Sequence, residues 1–435
     1  MPIVAIIGRP NVGKSTLFNR LIGEKKAITD NLSGVTRDRI YGTTEWNGRE
    51  FTVIDTGGFV SNSDDVFEKA IAEQVKIAME ESDVIIFMTD VTTGITDLDE
   101  QVADLLRRSQ KKVIVAVNKV DNHGRMLMAN EFWSIGFENT LFLSSISGSG
   151  SGELLDLVVE ILPVHMENED EKDIPRFAIV GRPNVGKSSM TNALLGKKRN
   201  IVTSIAGTTR DSINSLYDKF DKKFLLIDTA GIRKKAKVHE NLEFYSVLRA
   251  IRSIEDSDVC MLMIDAKDGV EAQDLSIVSL VLKRNKGLVI LVNKWDLVKD
   301  KETNSAKEFE EKIKHKIAPF NDVPIIFISV IEKQRIFRAM DVAMNVFENR
   351  TRKIKTSEVN EFLQEVIERN APPSHRGKHI KIKYGAQLPV AYPAFVLFCN
   401  YPDHVKQSYR NFLENKFRER YNFTGVPIKI YFRKK

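Results

Sequence analysis

The chain has 435 residues, of which 42% are hydrophobic and 29% charged, and a net charge of +6. That length and balance predict a globular protein of about three domains and exclude a fibrous or disordered chain. Its two cysteines, Cys260 and Cys399, lie in apolar runs; they exclude a disulfide framework, read as small buried hydrophobes and suit a reducing cytoplasm.

The chain begins MPIVAIIG, an apolar run that enters a glycine loop directly, so no secretory leader is expected. No run approaches the roughly 18 apolar residues of a membrane-spanning helix. Strands are expected at residues 3–7 and 177–180, each running into the same loop: GRPNVGKST at 8–16 and GRPNVGKSS at 181–189. The copies are offset by 173 residues, and the match continues. VTRD at 35–38 pairs with TTRD at 208–211, DTGG at 55–58 with DTAG at 228–231, and NKVD at 118–121 with NKWD at 293–296. This is duplication of a whole domain. The later apolar runs in VIIFMTD, KVIVAVN, VCMLMID and GLVILVN are continuous rather than alternating, as in parallel strands buried on both faces. The expected fold class is therefore α/β: two tandem, mostly parallel sheets with crossover helices. The divisions are residues 1–163 for the first domain and 176–350 for the second, with a linker at 164–175 containing the acidic stretch ENEDEKD.

The tail, residues 356–435, differs. Val359, Phe362, Leu363, Val366 and Ile367 fall at helical spacing, with Ser357 as expected N-cap and Pro372 past the end. HIKIKYG places Ile380, Ile382 and Tyr384 on one face of a strand. AFVLFC is a second strand, Asp403 is an expected cap for a second helix with Val405, Tyr409, Phe412 and Leu413 inward, and PIKIYFR is a third strand. The order α-β-β-α-β makes a two-layer α+β domain. From residue 350 onward 18 Lys and Arg face 7 Asp and Glu, so the rest of the chain is slightly acidic. A basic tail on an acidic body points to a polyanionic partner.

Gly-x-x-x-x-Gly-Lys-Ser after a strand is a phosphate-binding loop. Its glycines let backbone N–H groups turn toward phosphate oxygens, and the helix that follows offers its N-terminus. The candidate ligands are Gly8, Arg9, Pro10, Asn11, Val12, Gly13, Lys14, Ser15 and Thr16, and in the second copy Gly181, Arg182, Pro183, Asn184, Val185, Gly186, Lys187, Ser188 and Ser189. Lys14 and Lys187 are expected to reach the β- and γ-phosphates, and Ser15 and Ser188 to ligate Mg²⁺. Asp55 and Asp228 end apolar stretches, where a carboxylate holds the water shell of that ion. Thr56, Gly57, Gly58 and Phe59, matched by Thr229, Ala230, Gly231 and Ile232, then bring a backbone N–H to the γ-phosphate. Thr36 and Thr209 are expected to reach Mg²⁺ only when a γ-phosphate is present, which makes an order–disorder switch.

Asn-Lys-x-Asp selects the base. The carboxylates of Asp121 and Asp296 accept from N1–H and the 2-amino group of guanine, a donor pair that adenine lacks. Asn118, Lys119, Asn293 and Lys294 complete the motif, with the lysine stems along the base. Ser144 and Ser145, and Ser329 and Val330, are candidates for backbone contacts to the guanine carbonyl. The second copy lacks the glycine-rich turn of SSISGSG, but backbone contacts tolerate that change, so both copies are expected to bind GTP or GDP.

The motif order is that of the translation-factor class of GTPases. Two such domains before a small basic α-β-β-α-β domain resembles the Der, or EngA, family, across essentially the whole chain. The resemblance implies a KH-like tail, GTP hydrolysis, a monomer, and association with rRNA and the large ribosomal subunit during its assembly. The tail has no Gly-x-x-Gly loop, unlike ordinary KH domains. The resemblance also implies that Asn11 and Asn184 help hold a K⁺ beside the phosphates, where added positive charge assists catalysis together with Lys14 and Lys187. Phe59 and Ile232 stand where a water-orienting glutamine would, so intrinsic turnover is expected to be slow. After this point the copies diverge: the first reads FVSNSDD, whereas the second carries Arg233, Lys234, Lys235 and Lys237, charges suited to ribosomal RNA. The rival readings are a metabolic kinase, which the two NKxD motifs oppose, and a scaffold that holds GTP without turnover.

Overall fold

A computed structural model describes residues 2–23, 41–55, 75–76, 78–79, 82–109, 111–163, 174–195, 214–219, 222–227, 250–298, 305–374 and 377–434. Thr36, Thr56, Gly57, Gly58, Phe59, Thr209, Asp228, Thr229, Ala230, Gly231, Ile232, the Arg233–Lys237 basic residues and the acidic stretch at 167–173 lie outside them. The chain forms two compact units, Met1–Glu169 and Asp170–Lys435.

In the first unit the strands are β1 (Ile3–Gly8), β2 (Tyr41–Trp46), β3 (Arg49–Asp55), β4 (Val84–Asp90), β5 (Lys112–Asn118) and β6 (Thr140–Phe142). They lie in the order β2-β3-β1-β4-β5-β6. Every described pairing is parallel except the β2–β3 hairpin, which turns on Asn47 and Gly48, both at positive φ, as a two-residue turn requires. β1 and β4 are buried at every residue because helices cover both faces of the sheet. One core layer packs the helices Lys14–Ile22 and Ser151–Ile161 against the sheet. The other packs Asp97–Arg107 and the 3-10 segment Asn130–Ile135.

The second unit repeats this topology with β7 (Arg176–Val180), β8 (Ser215–Lys219), β9 (Lys222–Ile227), β10 (Val259–Asp265), β11 (Gly287–Asn293) and β12 (Ile325–Phe327), in the order β12-β11-β10-β7-β9-β8. The expected α/β duplication is therefore observed. The tail adds the helix Thr356–Arg369, β13 (Ile382–Gln387), β14 (Ala394–Cys399), the helix Gln407–Tyr421 and β15 (Lys429–Lys434), in the sheet order β13-β14-β15. Its core packs Val359, Phe362, Leu363 and Val366 against Phe395, Leu397, Tyr409, Leu413 and Phe417. Cys260 and Cys399 are buried free thiols, and burial pushes Cys260 up to about 11, so it packs rather than reacts.

Three local expectations in the tail are corrected. The first helix begins at Thr356 with Lys355 at the N-cap, so Ser357 is inside it. The entry point is set nearby, because Ile354 N–H donates to Gln387 Oε1 at 2.7 Å. Asp403 lies in a separate 3-10 turn, Pro402–His404, and the second helix starts only at Gln407. A register shift between Ile382 and Tyr384 turns Tyr384 outward, where it stacks on Phe398 with ring centroids 4.5 Å apart. Gly385 takes the inward position instead; a Cβ there would meet Leu397 and Leu363 side chains at 2.5 and 2.6 Å.

The tail is fastened to the domain before it. Gly425 C=O accepts from Leu288 N–H at 2.7 Å, and Gly425 N–H donates to Asp322 C=O at 2.8 Å. Asn349 Nδ2 donates to Thr424 C=O at 3.1 Å, Arg352 Nη1 to Tyr421 C=O at 3.0 Å, and Arg418 Nη1 pairs with Asp322 at 3.2 Å. Val426 is buried in the core of the second nucleotide-binding domain.

Candidate nucleotide sites

Both loops have one backbone shape. Gly8 and Gly181 have φ of 147° and 143°, Asn11 and Asn184 63° and 65°, Gly13 and Gly186 101° and 104°. Glycine is needed at the first and last of these for space as well. A Cβ on Gly8 would sit 2.3 Å from Met88 O, and one on Gly181 2.4 Å from Met263 O. The helices then start at Lys14 and Lys187. The first of them has no acidic residue in its opening turn and no side-chain cap, so its leading N–H groups remain for an anion. Val12 and Val185 pin each loop to the core, whereas Asn11 and Asn184 project outward.

The two loop lysines fold back over their own loops. Lys14 Nζ donates to the carbonyls of Gly8 and Arg9 at 2.9 and 2.7 Å, and Lys187 Nζ to those of Gly181 and Arg182 at 2.6 and 2.5 Å. Burial pushes the Lys14 ammonium down from the usual 10.5 to about 8; Asp55 opposes that and Arg9 adds to it. Phosphate oxygens favour the protonated form, so nucleotide binding takes up a proton once the empty loop has lost it. With the second site disabled by Lys187→Ala, GDP affinity at the first site is expected to hold below about pH 7.5. Above about pH 8 it should fall by up to about tenfold per pH unit. Titration calorimetry in buffers of different ionisation heat measures the proton uptake; an affinity flat beyond that range would contradict the shift.

Ser15 Oγ donates to Asp55 Oδ2 at 2.5 Å, which joins the helix start to the end of β3. Asp55 is 4% exposed. A hydroxyl and a carboxylate in contact are hard oxygen donors that suit Mg²⁺. Ser188 holds the matching place on the second helix.

On the base side, the motif asparagines act as staples. Asn118 Nδ2 donates to Val12 C=O at 2.7 Å, and its Oδ1 accepts from Ser145 N–H at 2.8 Å. Asn293 does the same with Val185 C=O at 2.8 Å and Val330 N–H at 3.1 Å. The phosphate loop and the base-side loop are thus tied through one amide in each domain. Val330 fills the place of Ser145 because only its backbone is used. Ser144 and Ser329 are buried just before these residues. Lys119 and Lys294, at positive φ, each donate to a strand-end carboxylate, Asp90 and Asp265, at 2.5 Å. Burial alone would push these carboxylates up, but the lysine hydrogen bonds and other local donors outweigh it and hold both below the usual range. Asp121 is half-exposed and paired with Arg125, while Asp296 is half-buried.

The family model described as 50S ribosome-binding GTPase matches residues 3–119 and again 176–294. The model for the KH-domain-like C-terminal part of EngA bacterial GTPase enzymes matches 353–433. The protein called GTPase Der in Christiangramia forsetii is 57% identical over 433 residues, covering 100% of this chain and 99% of its own. Those of Flavobacterium johnsoniae and Bacteroides thetaiotaomicron are 57% and 56% identical over 434 residues, with the same coverage. The chain belongs to the Der family of GTPases. It is a GTP-binding, GTP-hydrolysing enzyme with a KH-like tail. Among solved structures, Aquifex aeolicus Era bound to GDP·AlF4⁻ aligns at 22% identity over 60% of this chain and 93% of that one, with a TM-score of 0.31.

This Der-family chain also uses Asp99, Asp274 and Arg20, which motif reading passed over. Arg9 Nε donates to both oxygens of Asp99 at 2.9 and 3.0 Å, and Arg182 Nε to Asp274 Oδ2 at 3.0 Å. Asp99 and Asp274 are fully buried, and each closes a capping box at the start of the next helix. The arginine side chains therefore brace the loops, and only their backbones are left for phosphate. Arg20 Nε donates to Ser145 C=O at 2.6 Å in the first domain. Ala193 stands at the corresponding place in the second.

Proposed function

We propose that the protein is a nucleotide-gated factor in assembly of the large ribosomal subunit, acting as a cytoplasmic monomer on rRNA. The observation that carries this is the pairing of two matched nucleotide sites with a basic domain bolted to the second of them; the family description naming 50S ribosome binding supplies the partner. The reading divides the chain into nucleotide domains at 1–163 and 176–350, a linker at 164–175 and the KH-like domain at 356–435. Among the described residues no helix is long and apolar enough to cross a membrane.

In each site the loop N–H groups of Gly8 to Thr16, or Gly181 to Ser189, cradle the phosphates. Lys14 and Lys187 exchange their carbonyl partners for phosphate oxygens, which places a positive charge where negative charge builds up during hydrolysis. Asp121 and Asp296 take the guanine donors, and Asn118 and Asn293 keep the two halves of the pocket in register. Ser15 with Asp55 and Thr36, and Ser188 with Asp228 and Thr209, would hold Mg²⁺; Asn11 and Asn184 would hold K⁺. When bound, these cations add positive charge along the phosphates. With Phe59 and Ile232 unable to orient water, turnover is slow until a partner stimulates it.

The test is co-sedimentation with purified large ribosomal subunits at fixed salt, comparing a GTP analogue, GDP and no nucleotide in wild type, Lys14→Ala and Lys187→Ala. Association is expected only with the analogue and is expected to be lost in at least one variant. Equal association in every state would overturn nucleotide gating and favour the scaffold reading.

A further inference from the structure

The carboxylate of Asp121 is occupied in a particular way. Both of its oxygens lie 2.7 Å from a single nitrogen, Arg125 Nη1. A donor equidistant from both oxygens sits in the fork of the carboxylate, where the N1–H and 2-amino group of guanine must enter to make paired bonds. The same nitrogen donates to Lys119 C=O at 3.2 Å, which closes the turn over the fork. Arg125 is delivered there by the short helix His123–Ala129. The N-cap residue Asn122 accepts from Arg125 N–H at 2.9 Å and donates to Asp121 Oδ1 at 3.0 Å. The second copy differs in sequence: four residues beyond Asp296, where Arg125 stands relative to Asp121, is Asp300 rather than an arginine.

We propose that Arg125 is an internal competitor for guanine at the first nucleotide site. In the empty site it fills the base-reading fork of Asp121, and it is displaced when the purine enters. The inference rests on the reading of Asp121 as the guanine-recognising group. It makes the first site weaker than its own contacts would allow and leaves the second site without this brake. The effect is modest, because the side chains of Arg125 and Asp121 are 35% and 47% exposed.

The test measures affinity for methylanthraniloyl-GDP in the Lys187→Ala background, which isolates the first site, with Arg125→Ala and Arg125→Met. Both variants are expected to bind about two- to fivefold more tightly at low salt, the range of an exposed ion pair. The gain should shrink at high salt, where the pair is already screened in the parent. The second site, isolated by Lys14→Ala, is expected to be unchanged because it lies in the other unit, and the unfolding temperature of the first unit, read by scanning calorimetry, reports that its fold survives. Unchanged or weaker binding at the first site overturns the proposal, weaker binding meaning that Arg125 supports the bound base. Asp121→Asn separates the two levels. An amide presents the donor that the 2-carbonyl of xanthine needs, so this variant is expected to exchange guanine for xanthine preference. If it does not, the reading of Asp121 fails; if it does and the Arg125 variants bind no more tightly, the competitor alone fails.

Discussion

Gly13→Ala is expected to empty the first nucleotide site and leave the second filled, so that a chain binding two guanine nucleotides binds one. At a φ of 101° an L side chain is strained, and the added Cβ would lie 2.3 Å from Asn118 Nδ2. That nitrogen cannot retreat without loss, since it donates to Val12 C=O while Asn118 Oδ1 accepts from Ser145 N–H. Moving the amide breaks two buried hydrogen bonds at once and frees the phosphate loop from the base-side loop. Backbone strain of about 1–2 kcal/mol and about 1–3 kcal/mol for buried groups left unpaired together amount to about 2–5 kcal/mol, which spans the roughly 2.7 kcal/mol of a hundredfold affinity loss. Gly186→Ala repeats the clash at 2.4 Å from Asn293 Nδ2 and should empty the second site alone. Calorimetric stoichiometry with GDP checks both. Two nucleotides bound per chain in the Gly13 variant would sink the argument that the staple holds the pocket.

The same staple shows where sequence reading reached and where it stopped. The strands were legible because parallel strands buried on both faces carry continuous apolar runs, as β4, β5, β10 and β11 do. Among the described residues, the two loop motifs and the two Asn-Lys-x-Asp motifs were legible because their residues sit at fixed short spacings. The partners of those motifs were not. Asn118 reaches Val12 across 106 positions, and Arg9 reaches Asp99 across 90, so no local pattern announces either bond. A signal did exist, since Asp99 recurs as Asp274 at nearly the same distance from its arginine, and a buried acid repeated in both copies asks for a partner. The tail misled for a different reason. Ser357 and Asp403 are good caps by composition, but Gln387 and Pro402 fix where the chain turns, and tertiary contacts outrank capping preference. The outward turn of Tyr384 depends on a bulge that alternation alone cannot reveal.

Gly425→Val is the substitution expected to separate the tail from the second nucleotide domain. Gly425 has a φ of 79°, and a Cβ there would lie 2.6 Å from Val346 Cγ2 and 3.0 Å from Leu288 O. Val346 is buried in the helix Ile336–Thr351 and belongs to the core, so it has little room to move. The backbone of Gly425 is also wedged between Leu288 N–H and Asp322 C=O, and shifting it costs both bonds. A β-branched residue at positive φ in a packed seam is expected to destabilise by about 3 kcal/mol or more. That corresponds to a fall of roughly 6–12 °C in the unfolding temperature of this unit. Scanning calorimetry reads the shift, and limited proteolysis should release a fragment close to residues 353–435. GDP binding at the first site is expected to be unchanged, because Gly425 and all its partners belong to the other unit. The informative comparison is between binding and docking. If the tail is the output of the second switch, the variant should keep guanine nucleotide at Lys187 and lose the dependence of subunit association on the GTP analogue. An unaltered unfolding temperature would show that the seam accommodates a side chain. A destabilised seam with docking still gated would show that the tail is held by the second domain without carrying its signal.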